Sequence, residues 1–381
     1  MAWFYLFLGF VMFISLVLVH EWGHFIVSRR NGVEVEEFGL GFPPRAKKIA
    51  TRKGTLYSLN WLPLGGFVKL KGEHDADRSP GSFGRGSTWV KTKIMTAGVA
   101  MNLITALILF TIVALMGMPK LLDNQFTVAS DTKITRRPEN VGVVKIDQVV
   151  KDTPASKAGL KGDEQIVSVA GITVDSPDKL ATITNANSGK AVTVVVKDGD
   201  KLVSKDITLA TTSPHLGVSS YSAQSGIQLQ RSTWSAPVVA VGVTGQFTWA
   251  TLKGLGTALK GLGSIFAGAF TGNKAARQAG QTSASSQVSG PVGIFEVIYQ
   301  GAKLGFGFIL FIIAIISLTL AIMNILPIPA LDGGKLFVML LYRARHKVLT
   351  QKTEELIHGT GFAVLMLLFV VITIVDIRRF F

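Results

Sequence analysis

The chain contains no cysteine, and this absence excludes several classes of protein. Disulfide frameworks, iron–sulfur clusters, cysteine-based zinc fingers and a cysteine nucleophile all need thiols. Charged residues are also scarce, at 17% of 381 residues, and only 24 are Asp or Glu against 39 Lys and Arg. The net charge of +15 suits a nucleic-acid-binding protein, but basic loops beside apolar membrane spans produce the same excess.

Apolar residues are gathered into long uncharged runs, and this favours the membrane interpretation. A helix that crosses a bilayer needs about 20 apolar residues. The runs without a charged residue are Ala2–Val19, Ile94–Met118, Leu304–Leu331 and Gly359–Val375. The sequence therefore predicts a multi-pass α-helical membrane protein with four transmembrane helices, assigned to residues 1–28, 94–118, 303–333 and 359–377. Nucleic-acid binding becomes the weakest alternative.

The distribution of basic residues predicts how the chain crosses the membrane. No Lys or Arg precedes Arg29, whereas residues 29–93 contain many. Because cytoplasmic loops carry an excess of Lys and Arg, we expect 29–93 and the basic turn 334–358 to lie in the cytoplasm. Both termini and the stretch between the second and third spans then lie on the outer, extracytoplasmic side of the inner (cytoplasmic) membrane.

The long segment between the second and third spans is predicted to contain a soluble α+β domain. Short β-branched runs alternate with turn residues: Val141–Val144, Gln165–Val169, Ala191–Val196 and Ile207–Ala210. Pro154–Leu160 predicts a short helix that stops at Gly159. Together with the stretch PASKAGLKGDEQIVSVAGITV, this organisation resembles a bacterial PDZ domain, assigned to 123–215. Any small α+β domain is the alternative.

The segment 216–302 follows this domain and divides into a helix and a connection. Trp234–Leu252 is uncharged but rich in Gly, Ser and Thr. We therefore expect an amphipathic helix at the membrane surface or lining a cleft, rather than a fifth span. Residues 271–292 are rich in Gly, Ser, Ala and Gln and predict a flexible connection.

The motif His20-Glu21-Trp22-Gly23-His24 directly follows the first apolar run. Side chains four residues apart share one face of a helix, so His20 and His24 can hold one Zn²⁺. Glu21 beside them can act as a general base toward water. The chain has only six His, and ionisable groups at the end of a membrane span are costly. A pair of polar residues that merely ends a helix is therefore the weaker explanation.

Asp332 is the candidate third ligand, because a hydrolytic zinc site keeps three protein ligands and an open position. It lies in the run NILPIPALDGG, where Pro327 and Pro329 cannot continue a regular helix. Broken backbone at membrane depth is tolerated only inside protein or beside water. A solvated Asp at a simple helix end explains this run alone equally well, but the pairing with the His motif favours a metal site. Four spans bring Asp332 to the side of the membrane that holds His24, and five would not. The weaker candidates are His74, His215, His346 and His358.

The order of these motifs resembles the site-2 protease family of intramembrane zinc metalloproteases. The matching features are HEWGHF in the first span, the PDZ-like domain, SGPVGI at 289–294 and NILPIPALDGG. The pattern is most similar to the bacterial regulator of sigma-E protease type with a single PDZ domain. The resemblance implies that His20, His24 and Asp332 bind zinc and that Glu21 is the general base. It also implies that Asn324 binds the substrate backbone or stabilises the oxyanion, although Asn324 could equally cap or kink its helix.

The basic segment 29–93 contains two strand-like stretches, Glu34–Phe42 and Thr55–Lys71, on either side of the turn Arg52–Gly54. The resemblance implies a membrane-associated β-hairpin that re-enters the membrane near the active site and pairs its edge with an unwound substrate. An ordinary hairpin resting on the bilayer fits the sequence nearly as well. Pro43 stands where many relatives have Gly, which leaves the shape of this loop open.

The predicted function is hydrolysis of peptide bonds within or beside the bilayer. The resemblance implies substrates that are single-span membrane proteins, such as anti-sigma factors and remnant signal peptides, shortened beforehand by an upstream site-1-type protease. The PDZ-like domain would bind a carboxyl terminus or an extended strand, or would exclude bulky substrates. Two other classes stay open: a zinc transporter, which also places His and Asp in spans, and a non-catalytic PDZ receptor.

Overall fold

The structure is a computed structural model that describes residues 2–136, 144–198, 201–222, 228–271, 273 and 290–380. The chain forms two compact units, one of Met1–Thr132 with Arg231–Phe381 and the other of Lys133–Gln230. Three predicted features lie partly outside the described residues: 141–143 of the first predicted strand, most of the connection 271–292, and Ser289.

Helices dominate the first unit and strands the second. The helices are α1 (Ala2–Arg30), α2 (Thr88–Met116), α3 (Pro154–Lys157), α4 (Pro177–Ala186), α5 (Ala236–Thr271), α6 (Pro291–Leu304), α7 (Phe306–Ile325), α8 (Asp332–Ala344) and α9 (Gln351–Phe380). The strands are β1 (Val35–Arg52), β2 (Thr55–Leu70), β3 (Met118–Pro119), β4 (Lys133–Arg136), β5 (Val144–Val149), β6 (Gln165–Val169), β7 (Ile172–Thr173), β8 (Ala191–Asp198), β9 (Lys201–Thr208), β10 (Val218–Ser222) and β11 (Gln228–Arg231).

Four helices in the described part of the chain are long and apolar enough to cross a membrane. They are Trp3–Arg30 in α1, Thr88–Met116 in α2, Phe306–Ile325 in α7 and Gln351–Ile374 in α9. The prediction of four apolar helices is therefore confirmed. Three of the helices extend beyond the uncharged runs, because polar residues at their ends continue the helical hydrogen bonding. The third run instead stops being helical after Ile325.

Helix α7 is the central helix of the first unit. Of the residues in the most apolar stretch of α7, 56% are buried. In the corresponding stretch of α9, 0% are buried, so that stretch faces outward. The ring of Phe311 lies 5.9 Å from that of Phe110 in α2, and Phe247 of α5 stacks on Phe110 at 6.0 Å. Another apolar cluster joins α7 to α1 and α6. The amino-terminal half of α7 is thereby packed among its neighbours.

Helix α5 contains the segment predicted to lie at the membrane surface or in a cleft. It starts two residues later than predicted and runs much further, to Thr271. Its first turns are buried against α2 and α7, with Val239 at 1% and Val243 at 0% exposure. Among the described helices it is not one of the four that meet the length and composition of a span. Its placement relative to a membrane stays a prediction.

The basic segment forms a sheet from two long strands that each bend. Glu37 of β1 pairs both with Lys69 and with Leu56 of β2, so the start of β1 lies between the two halves of β2. The bends occur near Gly41 and Gly65, whose φ values of 81° and 96° suit glycine. Burial works against the ionised side chain of Glu37, but hydrogen bonds from Ser58 and Arg45 hold its pKa below the ordinary value. The predicted hairpin is thus present in a doubled-back form.

The second unit is an α+β fold with a mostly antiparallel sheet. The strands run in the order β10-β5-β6-β8-β9, and β7 pairs with β6. Fully buried apolar side chains such as Ile146, Ile166 and Val194 form its core. The predicted helix at Pro154 is present but ends at Lys157. The predicted strand Ile207–Ala210 begins six residues earlier and ends two residues earlier, as β9 (Lys201–Thr208). It does so because these residues pair along β8 as a polar outer strand. Helix α4, started by Ser176 and Pro177, was not predicted.

Candidate metal centre

The motif HEWGH lies on an uninterrupted stretch of α1. The helix continues through His24 to Arg30, so His20 and His24 occupy successive turns of one face. Their ring centroids are 4.9 Å apart and their Nε2 atoms 3.2 Å apart. Gly23 faces α2, where a Cβ would lie 2.7 Å from the carbonyl oxygen of Ala97. The small residue therefore lets the two helices approach closely beside the histidines.

Asp332 reaches the histidines because the chain reverses between α7 and α8. α7 ends at Ile325, and Asp332 is the first residue of α8. The connecting loop holds Ala330 at a φ of 80°, and the Ala330 N–H donates to Nδ1 of His358 at 3.2 Å. Gly334 packs directly on the backbone of Ile328, where a side chain could not fit. The contacts with His358 and Gly334 therefore fix the backbone conformation of this loop.

The three predicted ligands converge on one point. Oδ2 of Asp332 lies 3.0 Å from Nε2 of His20 and 3.1 Å from Nε2 of His24. Two imidazole nitrogens and a carboxylate oxygen form a donor set that zinc takes in proteins. The arrangement thus fits one metal ion, and among the described residues it is the only such group.

Helix α2 forms the back of the site. Nδ1 of His24 donates to the carbonyl oxygen of Ile94 at 2.8 Å, and the amide of Asn102 contacts Nδ1 of His20 at 3.2 Å. Such contacts to the second ring nitrogen orient metal-binding histidines. Gly98 lies between these two positions and leaves room for both rings. Sequence reasoning missed this contribution of α2. Asn102 was the available signal, because it is the only amide in the apolar run Ile94–Met118.

Glu21 and Asn324 line the same cavity as the three ligands, with a volume of about 570 Å³. Glu21 follows His20 on α1, and Asn324 lies in the last turn of α7. The second half of β2 also borders the cavity, and a Cβ on Gly66 would lie 3.5 Å from Cγ of Glu21. All five predicted site residues therefore meet in one place.

The remaining histidines lie elsewhere or at the margin. His74 and His358 line the same cavity, together with Glu354 and Glu355. Nδ1 of His74 lies 3.8 Å from Glu354, and Nε2 lies 3.6 Å from Glu355. His215 belongs to the second unit, where its Nδ1 donates to the carbonyl oxygen of Ala210 at 2.7 Å. Neither arrangement brings a further ligand to His20 and His24.

Comparisons with known proteins match nearly the whole chain. The family model of peptidase family M50 matches residues 8–368. A relative from Clostridium acetobutylicum, whose name assigns it to the zinc metalloproteases, is 30% identical over 380 residues, covering 99% of this chain and 98% of its own. The zinc metalloprotease RasP of Oceanobacillus iheyensis is 25% identical over 455 residues, covering 97% and 98%. Among solved structures, the PDZ domain of an SdrC-like protein of Listeria monocytogenes matches with 22% identity over 22% of this chain and 92% of its own, with a TM-score of 0.19.

Proposed function

The chain is a zinc metalloprotease that belongs to peptidase family M50, the site-2 protease family, and we propose that it hydrolyses peptide bonds in the membrane-spanning segments of other proteins. The observation that carries this proposal is the convergence of His20, Glu21 and His24, which lie on the apolar helix α1, with Asp332, which a short loop joins to the apolar helix α7. A protease whose reacting groups lie on such helices has direct access to peptide bonds near the bilayer.

In this proposal His20, His24 and Asp332 hold the zinc ion. Support comes from the short distances between their donor atoms and from the acceptor that α2 offers to His24. When bound, zinc supplies Lewis acidity toward a carbonyl oxygen and toward water. Asp332 approaches both imidazoles as an anion, which favours retention of a cation there.

Glu21 is proposed as the general base and acid of the reaction. Its carboxylate side chain borders the cavity beside both histidines, so it can take a proton from attacking water. The same carboxyl group can then deliver that proton to the leaving amine. Asn324 is proposed to donate its side-chain amide to the substrate backbone or to the developing oxyanion. Its position on the wall of the cavity supports this role.

The substrates are proposed to be transmembrane segments that unwind on binding. A helical peptide bond is hydrogen-bonded internally, so a protease must open the helix before water can attack. The second half of β2, including Gly66, Phe67 and Val68, borders the cavity and forms an outer strand of its sheet among the described residues. An extended substrate can add to such an edge by backbone hydrogen bonds. Single-span proteins such as anti-sigma factors and remnant signal peptides are the proposed class.

The second unit is proposed to act as a PDZ domain. Strand β10 is the last strand of the described sheet, and helix α4 contacts it, which offers an edge where a carboxyl terminus or an extended strand can bind. Exclusion of bulky substrates is the alternative role proposed for this unit. An upstream protease of the site-1 type would then prepare substrates by removing their outer portions.

The proposed location is the inner membrane, with both termini and the PDZ domain outside and the metal centre toward the cytoplasm. Exposed Trp3 and Trp22 on α1 support the placement of that helix. Their separation of 19 residues corresponds to about 28 Å of helix, close to the roughly 30 Å hydrocarbon core of a bilayer. Tryptophan prefers the two interfaces of a membrane, and the basic segment follows Trp22.

The test is cleavage of a tagged single-span substrate by detergent-purified protein, with bound zinc measured in each sample. Glu21→Gln should keep zinc but lower the cleavage rate at least about 100-fold, because the general base is lost. A chelator should remove both zinc and activity. Glu355→Gln, a change at the margin of the same cavity, serves as the matched control and should retain activity. Full activity of Glu21→Gln would refute the assigned mechanism, and bound zinc without cleavage of any trimmed substrate would favour a transporter.

A further inference from the structure

Asn102 is a buried amide inside an apolar helix, and it contacts one of the proposed ligands. It is 1% exposed, and its Nδ2 lies 3.2 Å from Nδ1 of His20. Its Oδ1 is buried without a hydrogen-bond partner among the described residues. The backbone at this point is fixed from the other side, because the hydroxyl of Ser317 donates to the carbonyl oxygen of Asn102 at 2.8 Å.

The contact between Asn102 and His20 depends on where the imidazole carries its proton. With Nδ2 of Asn102 as the donor, Nδ1 of His20 must accept, and the ring proton then sits on Nε2. There it can donate to Oδ2 of Asp332, which lies 3.0 Å away. The contacts from Asn102 to His20 and from His20 to Asp332 are therefore consistent with each other without a metal ion. It is inconsistent with zinc binding, because a ligand nitrogen must present its lone pair.

Zinc binding through Nε2 of His20 moves the proton to Nδ1, and the Nδ1–H group then needs an acceptor. The amide of Asn102 can provide it, because half a turn of the amide exchanges its nitrogen and oxygen. We propose that Asn102 is a positioning residue: its oxygen accepts from Nδ1–H of His20 when zinc is bound, and its nitrogen donates to Nδ1 when zinc is absent. This inference rests on the zinc site proposed above.

His24 provides an internal comparison. Its Nδ1 faces the carbonyl oxygen of Ile94 at 2.8 Å, and a carbonyl oxygen can only accept a hydrogen bond. Nδ1 of His24 therefore always donates, and its tautomer is preset for binding through Nε2. An amide, in contrast, can both donate and accept. Helix α2 thus orients both histidines. The contact of Ile94 with His24 is preset, and the contact of Asn102 with His20 is adjustable.

A purely structural role for Asn102 makes the opposite prediction for two substitutions. If Asn102 only fills space in an apolar helix, leucine should replace it with little effect, and aspartate should be harmful because it buries a charge. If Asn102 orients His20, leucine removes the acceptor that the loaded state needs. Aspartate keeps an acceptor and forms the carboxylate–histidine arrangement common in zinc sites. The order of the two variants therefore separates the roles.

The experiment measures the zinc dissociation constant of detergent-purified protein by competition with a chromophoric chelator. Asn102→Leu should bind zinc about 10- to 100-fold more weakly than the unchanged protein, the range seen when such outer contacts are removed. Asn102→Asp should bind at least about 10-fold more tightly than Asn102→Leu. Thr111→Val is the matched control, because it also removes a polar group from α2, but its hydroxyl donates to the carbonyl oxygen of Leu107 within the same helix, and its affinity should be unchanged.

The outcomes separate this inference from the proposed zinc site. Absence of zinc from the unchanged protein would remove the site itself. Two results would overturn the positioning role while leaving the site intact. One is equal zinc affinity of the unchanged protein and Asn102→Leu. The other is weaker zinc binding by Asn102→Asp than by Asn102→Leu. Each variant is first checked for a single folded species by gel filtration. If Asn102→Leu does not fold, Asn102→Ala takes its place, with the same expected order against Asn102→Asp.

Discussion

Gly98 of α2 faces His24 of α1 so closely that a Cβ on Gly98 would lie 2.5 Å from Nε2 of that histidine. The same Cβ would lie 2.5 Å from Nε2 of His20. Real side-chain atoms do not approach this closely, so the two rings occupy the space that any other residue at position 98 would need. The metal centre therefore depends on the absence of a side chain at a position outside the recognisable motifs.

Replacement of Gly98 by alanine should weaken zinc binding by at least about 10-fold and reduce proteolysis accordingly. The added methyl group would push one or both imidazoles away from Asp332. The control is Gly256→Ala in α5, where a Cβ meets nothing within 4 Å. This change should leave zinc binding intact and raise helix stability by up to about 1 kcal/mol. Equal zinc affinity in the two alanine variants would show that the rings adjust to the methyl group without loss.

The local part of this site follows from the sequence, whereas the surrounding contacts do not. His20, Glu21 and His24 are fixed by the helical period of one segment, so their shared face is predictable. Asp332 was predictable because the proline-containing run marks a helix break at the depth of the histidines. Gly98 and Asn102 act through a contact between two helices whose relative rotation no local pattern specifies.

The same distinction between local pattern and contacts across the fold explains where the observed helices and strands differ from the predicted ones. The four apolar helices are visible as composition, and their ends differ from the uncharged runs because polar residues continue the helices. The hairpin was predicted as two strands, but its doubled-back pairing at Glu37 depends on bends at Gly41 and Gly65. A strand pattern of period two contains no information about which partner each half chooses.

Lys91 should be a major contributor to stability at the start of α2. Its side chain is 0% exposed, its ammonium group contacts the carboxylate of Asp75, and it donates to the carbonyl oxygen of Gly84 at 2.7 Å. Lys91→Met keeps the apolar stem but leaves Asp75 with Arg343 as its remaining cationic partner. We expect a loss of about 3 kcal/mol in the free energy of unfolding, measured in detergent.

Two further variants test the origin of that loss. Lys93→Met removes a hydrogen bond to Asn31 two positions along the same helix and should cost less than about 1.5 kcal/mol. Combining Lys91→Met with Asp75→Leu should recover part of the stability, because the carboxylate that lost its Lys91 partner is removed. No recovery in the double variant would assign the effect of Lys91 to packing rather than to charge.

The outer end of the β1–β2 sheet should contact lipid. Large apolar side chains are exposed there, with Trp61 at 71% and Ile49 at 62% exposure. A variant that retains Trp61 as its only tryptophan should lose fluorescence when the protein is placed in bilayers of brominated lipid. Ile172→Trp, in a chain otherwise lacking tryptophan, places the probe at an exposed position of the second unit and should be unaffected. Emission from Trp61 that is the same in brominated lipid as in ordinary lipid would exclude contact between this end of the sheet and the bilayer.

Asp131 anchors the start of α5, and this contact should make stability depend on pH. Its carboxylate accepts hydrogen bonds from the hydroxyls and backbone N–H groups of Ser235 and Thr233. These bonds, that of Ser235 foremost, hold the pKa of Asp131 below its ordinary value. A lowered pKa in the folded state means that the carboxylate stabilises the fold fully above the unfolded pKa of about 3.9. The contribution is lost as the pH falls further, toward the folded pKa.

The melting temperature of Asp131→Asn should therefore be lower than that of the unchanged protein at pH 7 and by the same margin at pH 5.5. The margin should shrink at pH 3, because the unfolded chain of the unchanged protein then binds a proton at Asp131 while the folded protein still does not, and this lowers the stability that the carboxylate supplies. Asp123→Asn, an exposed position in the same segment, is the control and should melt with the unchanged protein at each pH. A margin for Asp131→Asn that stayed constant down to pH 3 would mean that the anchor does not depend on the charge of the carboxylate.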